Sequence, residues 1–84
     1  MASGNQISLT LMRAGQSGTV VQIQGGHGLV NRLAALGIRP GKRITKVSSM
    51  LMQGPVTVEV DRAQVAMGFG MAKRLIVETE EVTA

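Results

Sequence analysis

Residues 29–41 read LVNRLAALGIRPG, a stretch that predicts a two-turn helix with a defined end. Leu29, Leu33 and Leu36 recur at i, i+4 and i+7, and this spacing places their side chains on one helical face. Gly37 follows at the position where such a helix takes a residue with left-handed backbone geometry. The proline and glycine that close the stretch stop the helix, because proline lacks an amide donor and glycine favours turns. A lone short helix between strands indicates a small barrel.

Short β-strands are predicted on both sides of this helix. The clearest spans 55–61, where Val56, Val58 and Val60 alternate with polar residues, as in a half-buried antiparallel strand. Other segments rich in β-branched and apolar residues predict strands at 17–24, 42–50, 63–67 and 75–78, a leading strand segment at 9–12, and a single helical turn at 69–74.

Three local patterns give finer predictions. In the strand at 17–24, residues 19, 21 and 23 are expected to face the same side of the sheet. Ile44 and Val47 have opposite parity, and this predicts a bulge or a sharp bend in their strand. The dipeptide Asp61-Arg62 is expected to form the turn after the valine strand.

About five short strands in a chain of 84 residues predict a mainly β fold. The expected architecture is a small barrel of the SH3-like or OB type, with one short α-helix and one helical turn. A sandwich is the alternative, although the chain is short for one. The domain is expected to span 8–78, with a flexible N-terminus at 1–7 and a frayed acidic C-terminus at 79–84. An open sheet edge would allow self-association.

The residue types present exclude several kinds of site. The chain has no cysteine, which rules out disulfides and thiolate metal sites. His27 is the only histidine and has no carboxylate near it in sequence, so spacing predicts no metal cluster. Neither a Ser/His/Asp order nor paired carboxylates indicate catalysis. We therefore expect a binding protein without enzymatic activity or cofactor.

The N-terminal sequence and the apolar pattern predict a cytoplasmic location. The first residues lack the basic patch and apolar run of a signal peptide. No uninterrupted apolar segment approaches the roughly 18 residues that a membrane span needs.

Charge is unevenly distributed along the chain. All five acidic residues follow Val58, whereas the first 58 residues hold six of the nine basic ones. Five of these basic residues lie between Arg32 and Lys46, and we expect them to form a positive region suited to one anionic partner. The alternative is a solvated basic face that keeps a small protein soluble.

The expected hairpin tip between the strands at 42–50 and 55–61 is unusually apolar. Met50, Leu51 and Met52 stand where turn residues are ordinarily polar. Methionine is flexible and polarisable, so such a tip suits docking in the groove of a partner or at a membrane interface. Alternatively, the hairpin folds back and these residues close the end of the barrel.

The order of several motifs resembles the ferrous iron transport protein A (FeoA) family. The most specific part is R-L-x-x-L-G-I-R-P-G at 32–41 followed by G-P-V at 54–56. The likeness extends over roughly 8–78 and also includes residues 15–23, 25–28, 57–58, 65–68 and Ala72. Gly68-Phe69-Gly70 departs from the pattern, since family members often carry a charged short helix there.

The resemblance implies an SH3-like barrel, also found as the C-terminal domain of iron-dependent repressors of the diphtheria toxin repressor type. It further implies a small cytoplasmic accessory protein acting with FeoB, the membrane Fe²⁺ transporter that carries a GTPase domain. Such a protein would be peripheral to the membrane through its partner.

The residues and the resemblance together suggest a partner-binding surface. We expect its electrostatic part in Arg39, Lys42 and Arg43, and its apolar anchor in the hairpin tip, Met50, Leu51 and Met52. The alternative is a nucleic-acid-binding barrel, although Phe69 is the only aromatic residue available for stacking on bases. A role for Arg39 in GTPase activation is chemically conceivable. A further alternative is a detached repressor domain, which would require a DNA-reading helix-turn-helix for which this chain has no room.

Overall fold

Six antiparallel strands build the fold in the part of the chain that the structure describes. The structure, a computed structural model, describes residues 5–49 and 54–79. The strands are β1 Asn5–Ser8, β2 Ser17–Ile23, β3 Arg43–Ser49, β4 Val56–Val60, β5 Ala63–Met67 and β6 Leu75–Thr79. A 3₁₀ turn at Leu9–Leu11 and the helices α1 His27–Ala35 and α2 Phe69–Lys73 connect them.

The strands form one sheet in the order β1-β6-β2-β3-β4-β5. Every neighbouring pair is antiparallel. The order places β1, the first described strand, beside β6, the last. The mainly β, SH3-like architecture predicted from the sequence is confirmed, with six strands where about five were expected.

The N-terminal segment differs from its prediction. The leading strand lies at Asn5–Ser8 and pairs with β6, whereas the predicted strand at 9–12 is a 3₁₀ turn. Residues 5–7 of the segment expected to be flexible therefore belong to the sheet. At the other end, Thr79 is the last residue of β6, and the rest of the segment expected to be frayed lies outside the described residues.

The valine strand behaves as its pattern predicts. Val56, Val58 and Val60 are all buried, while Glu59 between them is exposed. The turn that follows carries positive φ angles at both predicted residues, 51° at Asp61 and 70° in the arginine after it, as a two-residue hairpin turn requires.

The prediction for β2 placed the wrong residues on one face. Val20 is completely buried in the core, whereas Val21 is only partly buried. The pairing of β2 with β6 shifts register between Val20 and Gln22, so Val21 occupies a bulge. The bulge predicted in β3 is confirmed, because its register with β4 shifts between Lys46 and Ser48.

Helix α1 ends in a Schellman motif that joins it to the core. The amide of Gly37, with φ at 88°, donates to the carbonyl of Ala34, and the amide of Ile38 donates to that of Leu33, both at 2.9 Å. Leu33 and Ile38 are completely buried. Leu36 was expected on the same buried face, but it is the C-cap and is 42% exposed, because the helix ends before it.

Candidate functional site

The turn after α1 is held rigidly against β2. The amide of Lys42 donates to the carbonyl of Arg39 at 3.0 Å, with a proline at the second position and Gly41 at the third with φ of 94°. This is the geometry of a type II turn. Both backbone groups of Val20 in β2 hold this turn. The Val20 carbonyl accepts from the amide of Gly41 at 2.7 Å, and the Val20 amide donates to the carbonyl of Lys42 at 2.8 Å.

An ion pair joins this turn to the β4–β5 turn. The ammonium of Lys42 lies 2.7 Å from Oδ2 of Asp61, and the two side chains are 30% and 63% exposed. It is the only ion pair among residues 5–49 and 54–79. Asp61, like the other acidic residues, follows Val58 in sequence, but the fold places its carboxylate beside Lys42 in the basic segment.

Three exposed arginines lie close to this ion pair in sequence, in the two turns and the adjoining strand. Arg39 lies in the first turn, Arg43 begins β3, and Arg62 lies beside Asp61 in the second turn. We call these three residues and Lys42 the arginine surface. Arg62 was not among the residues predicted for the partner-binding surface, although its place in a predicted turn next to an acidic residue was a usable signal.

Lys46 does not belong to the expected positive region. Its side chain is 2% exposed, and its ammonium donates to the backbone carbonyls of Leu9, Thr10 and Met12 at 3.2, 3.3 and 2.7 Å. Burial lowers the pKa of Lys46 from its ordinary value, because desolvation disfavours the charged form. The fold thus uses this cation internally to hold the 3₁₀ turn.

The predicted apolar anchor at Met50, Leu51 and Met52 lies outside the described residues. Within them, the large apolar side chains that stand out from the surface are Leu11, 69% exposed, and Leu36. Leu11 closes the 3₁₀ turn that Lys46 holds. The prediction of a strand at 9–12 gave no indication of this residue, because the alternation expected in a strand does not predict an exposed leucine in a turn.

The described residues show no arrangement suited to a metal ion. No three His, Asp or Glu side chains within 5–49 and 54–79 are placed to share one. His27 is exposed at the first position of α1, next to the Gly26 N-cap. No helix in this part of the chain has the length and apolar character needed to cross a membrane.

Comparison with known proteins identifies a family and a shared fold for this chain. A family model described as "FeoA domain" matches residues 7–79. The protein named "Putative Fe(2+) transport protein A" from Methanocaldococcus jannaschii is 29% identical over 73 residues, covering 87% of each chain.

Solved structures show the same fold. The crystal structure of an iron uptake regulatory protein, FeoA, matches with a TM-score of 0.80 and 35% identity, over 88% of this chain and 96% of that one. A manganese-dependent transcriptional repressor matches with a TM-score of 0.82 and 25% identity, over 90% of this chain but only 42% of the repressor. The fold therefore occurs both as a separate small protein and as one part of a longer metal-dependent regulator.

Proposed function

This chain belongs to the FeoA family of ferrous iron transport, and from that premise we propose that it is a non-catalytic accessory protein that binds a FeoB-type membrane Fe²⁺ transporter. It would act at the cytoplasmic face of the membrane, held there by the transporter, and would regulate transport through its contact with the GTPase domain. A binding role of this kind needs a rigid surface with a defined charge pattern rather than catalytic groups.

The observation that carries this proposal is the ion pair between Lys42 and Asp61. It joins the two turns that carry Arg39 and Arg62, and Arg43 directly follows Lys42 in the chain. Arginine is suited to interfaces because its guanidinium is weakly hydrated and binds carboxylates in a bidentate manner. We expect an acidic region of the transporter to contact this surface, with Lys42 positioning the turns and the arginines supplying the contacts.

Two parts of the partner site are tested separately. For the electrostatic part, Arg39→Glu and Arg43→Glu are compared with Arg13→Glu, an exposed arginine in the loop before β2 that undergoes the same change of charge. For the apolar part, the hairpin tip is changed by Met50→Ser, Leu51→Ser and Met52→Ser in one variant.

The measurement is the affinity of each purified variant for the detergent-solubilised transporter of the same organism. We expect Arg39→Glu and Arg43→Glu each to weaken binding by about tenfold or more, while Arg13→Glu retains the affinity of the unchanged protein. Equal loss in all three variants would indicate a general charge effect and contradict the assigned surface. Full affinity in the triple serine variant would remove the hairpin tip from the site.

Binding of RNA is the competing outcome. If the chain bound RNA with an affinity that falls steeply with salt, and did not bind the transporter, the nucleic-acid-binding alternative would replace this proposal.

A further inference from the structure

A second basic site lies where β2 and α2 end. A cavity of about 400 Å³ opens there, lined by Gln24, Gly70, Lys73 and Arg74. It shares no lining residue with the arginine surface. Its volume lies near the lower end of the range typical of pockets for small molecules.

Hydrogen bonds hold the backbone of this cavity on two sides. The amide of Gln24 donates to the Arg74 carbonyl at 2.8 Å, and the hydroxyl of Ser8 donates to the Lys73 carbonyl at 3.0 Å. The Arg74 amide in turn donates to the carbonyl of Met71 at 3.1 Å. The carbonyls at the end of α2 therefore have partners within the protein, and the two basic side chains start from a fixed backbone.

The lining presents hydrogen-bond donors and uncompensated positive charge. Lys73 and Arg74 are exposed, and no carboxylate of residues 5–49 and 54–79 lies within 4.0 Å of either cation. The side-chain amide of Gln24 adds a neutral donor and a neutral acceptor. Such a set selects a ligand rich in acceptor oxygens, which the guanidinium can bind in a bidentate manner.

We propose that this cavity binds the phosphate group of a small phosphate monoester. A phosphate monoester carries a charge of about −1.5 to −2 near neutral pH, which matches two cations better than the single charge of a carboxylate. The cavity is larger than a phosphate group alone, so part of an organic group fits beside it, within reach of the Gln24 amide. This site would operate whether or not the arginine surface binds a transporter.

Gly70 offers a variant that blocks the cavity without altering its charge. A Cβ built on Gly70 meets no atom within 4 Å, so a side chain there extends from the lining without displacing the fold. Gly70→Leu is therefore expected to occupy part of the space and to hinder a ligand there. Lys73→Gln and Arg74→Gln remove the charge instead, and Arg13→Gln is the matched control at a different exposed site.

The test is a titration of the full chain with adenosine monophosphate and, separately, with inorganic phosphate, followed by NMR shifts of the backbone amides. We expect saturable shifts at Gln24, Gly70, Lys73 and Arg74 with the monoester and weaker binding of inorganic phosphate. Lys73→Gln, Arg74→Gln and Gly70→Leu are each expected to weaken monoester binding by about tenfold, and Arg13→Gln to leave it unchanged.

Three results would overturn the proposal. One is equal shifts at the cavity and at the arginine surface, which would indicate non-specific attraction of anions. Another is unchanged binding in Gly70→Leu, after its thermal unfolding has shown that the variant is folded. The third is the absence of saturable shifts with either ligand.

Discussion

The ammonium of Lys46 donates a 2.7 Å hydrogen bond to the backbone carbonyl of Met12 inside the protein. The same nitrogen also donates to the carbonyls of Leu9 and Thr10, so one cation provides hydrogen-bond partners for the 3₁₀ turn that follows β1. The main chain of Lys46 supports the next loop, since its carbonyl accepts from Gly15 at 2.7 Å. A residue in β3 thus fixes the position of residues 34 to 37 places earlier in the sequence.

Loss of the Lys46 ammonium is expected to destabilise the fold. Lys46→Met keeps the apolar stem but leaves the carbonyls of Thr10 and Met12 without this donor, whereas the Leu9 carbonyl retains the amide of Met12. Removing the buried charge offsets part of this cost, so we expect the free energy of unfolding to fall by about 2 kcal/mol. Urea unfolding measures the change. A variant as stable as the unchanged protein would show that the ammonium contributes nothing net.

The stabilising effect of Lys46 is expected to depend on pH. Burial lowers its pKa in the folded state below the 10.5 of the unfolded chain, so between these two values the unfolded state binds more protons. The free energy of unfolding therefore rises with pH within that window and is constant with respect to this group below it.

The difference in unfolding free energy between the unchanged protein and Lys46→Met isolates this effect, because the other titrating groups are common to both. We expect this difference to increase as pH approaches 10.5. A difference that decreases over that window would mean that the three carbonyls raise the pKa more than burial lowers it.

Close approach of β2 and β6 requires a glycine at position 18. A Cβ added there would lie 2.5 Å from Cγ1 of Val77 and 2.8 Å from the backbone oxygen of Glu78. We expect Gly18→Ala to lower the free energy of unfolding by about 2 kcal/mol, because the obstructing backbone atom cannot move aside without disturbing the ladder.

Gly70→Ala is the control for this substitution, since its new methyl group meets no atom within 4 Å. It is expected to leave stability unchanged or raise it by up to about 1 kcal/mol, through the reduced freedom of the unfolded chain. Chemical denaturation of both variants tests the pair. Equal changes in the free energy of unfolding of the two variants would show that the contact with β6 does not cause the loss expected for Gly18→Ala.

The ion pair between Lys42 and Asp61 is expected to affect binding more than stability. Both groups are partly exposed to water, so Asp61→Asn should change the free energy of unfolding by less than about 1 kcal/mol. Asparagine also tolerates the positive φ of this turn position.

Removal of the carboxylate makes the arginine surface more positive. If an acidic region of the transporter contacts it, the association rate with Asp61→Asn should rise at low salt and approach that of the unchanged protein at high salt. Stopped-flow or surface-based kinetics across a salt series measure this. A rate independent of the substitution at every salt concentration would argue against contact at this surface.

Local features of the chain were predictable from short patterns. Alternation identified the strand around Val58, and turn chemistry identified the hairpin at Asp61 and the helix end at Gly37. The conflict in parity between Ile44 and Val47 correctly indicated a bulge. Each of these depends on neighbouring residues and on backbone preferences that act within a few positions.

The sequence by itself determined the fold class, the end of α1 and the alternation of β4, because steric limits and hydrophobic periodicity act locally. Tertiary structure decided which of Val20 and Val21 is buried, because the bulge depends on pairing with β6. Tertiary structure also decided the environments of two lysines. Lys42 forms an ion pair with an acidic residue of the β4–β5 turn, whereas the ammonium of Lys46 is bound by backbone carbonyls of the 3₁₀ turn and the residue after it. No local pattern distinguishes these two cations, since their partners are supplied by segments distant in sequence.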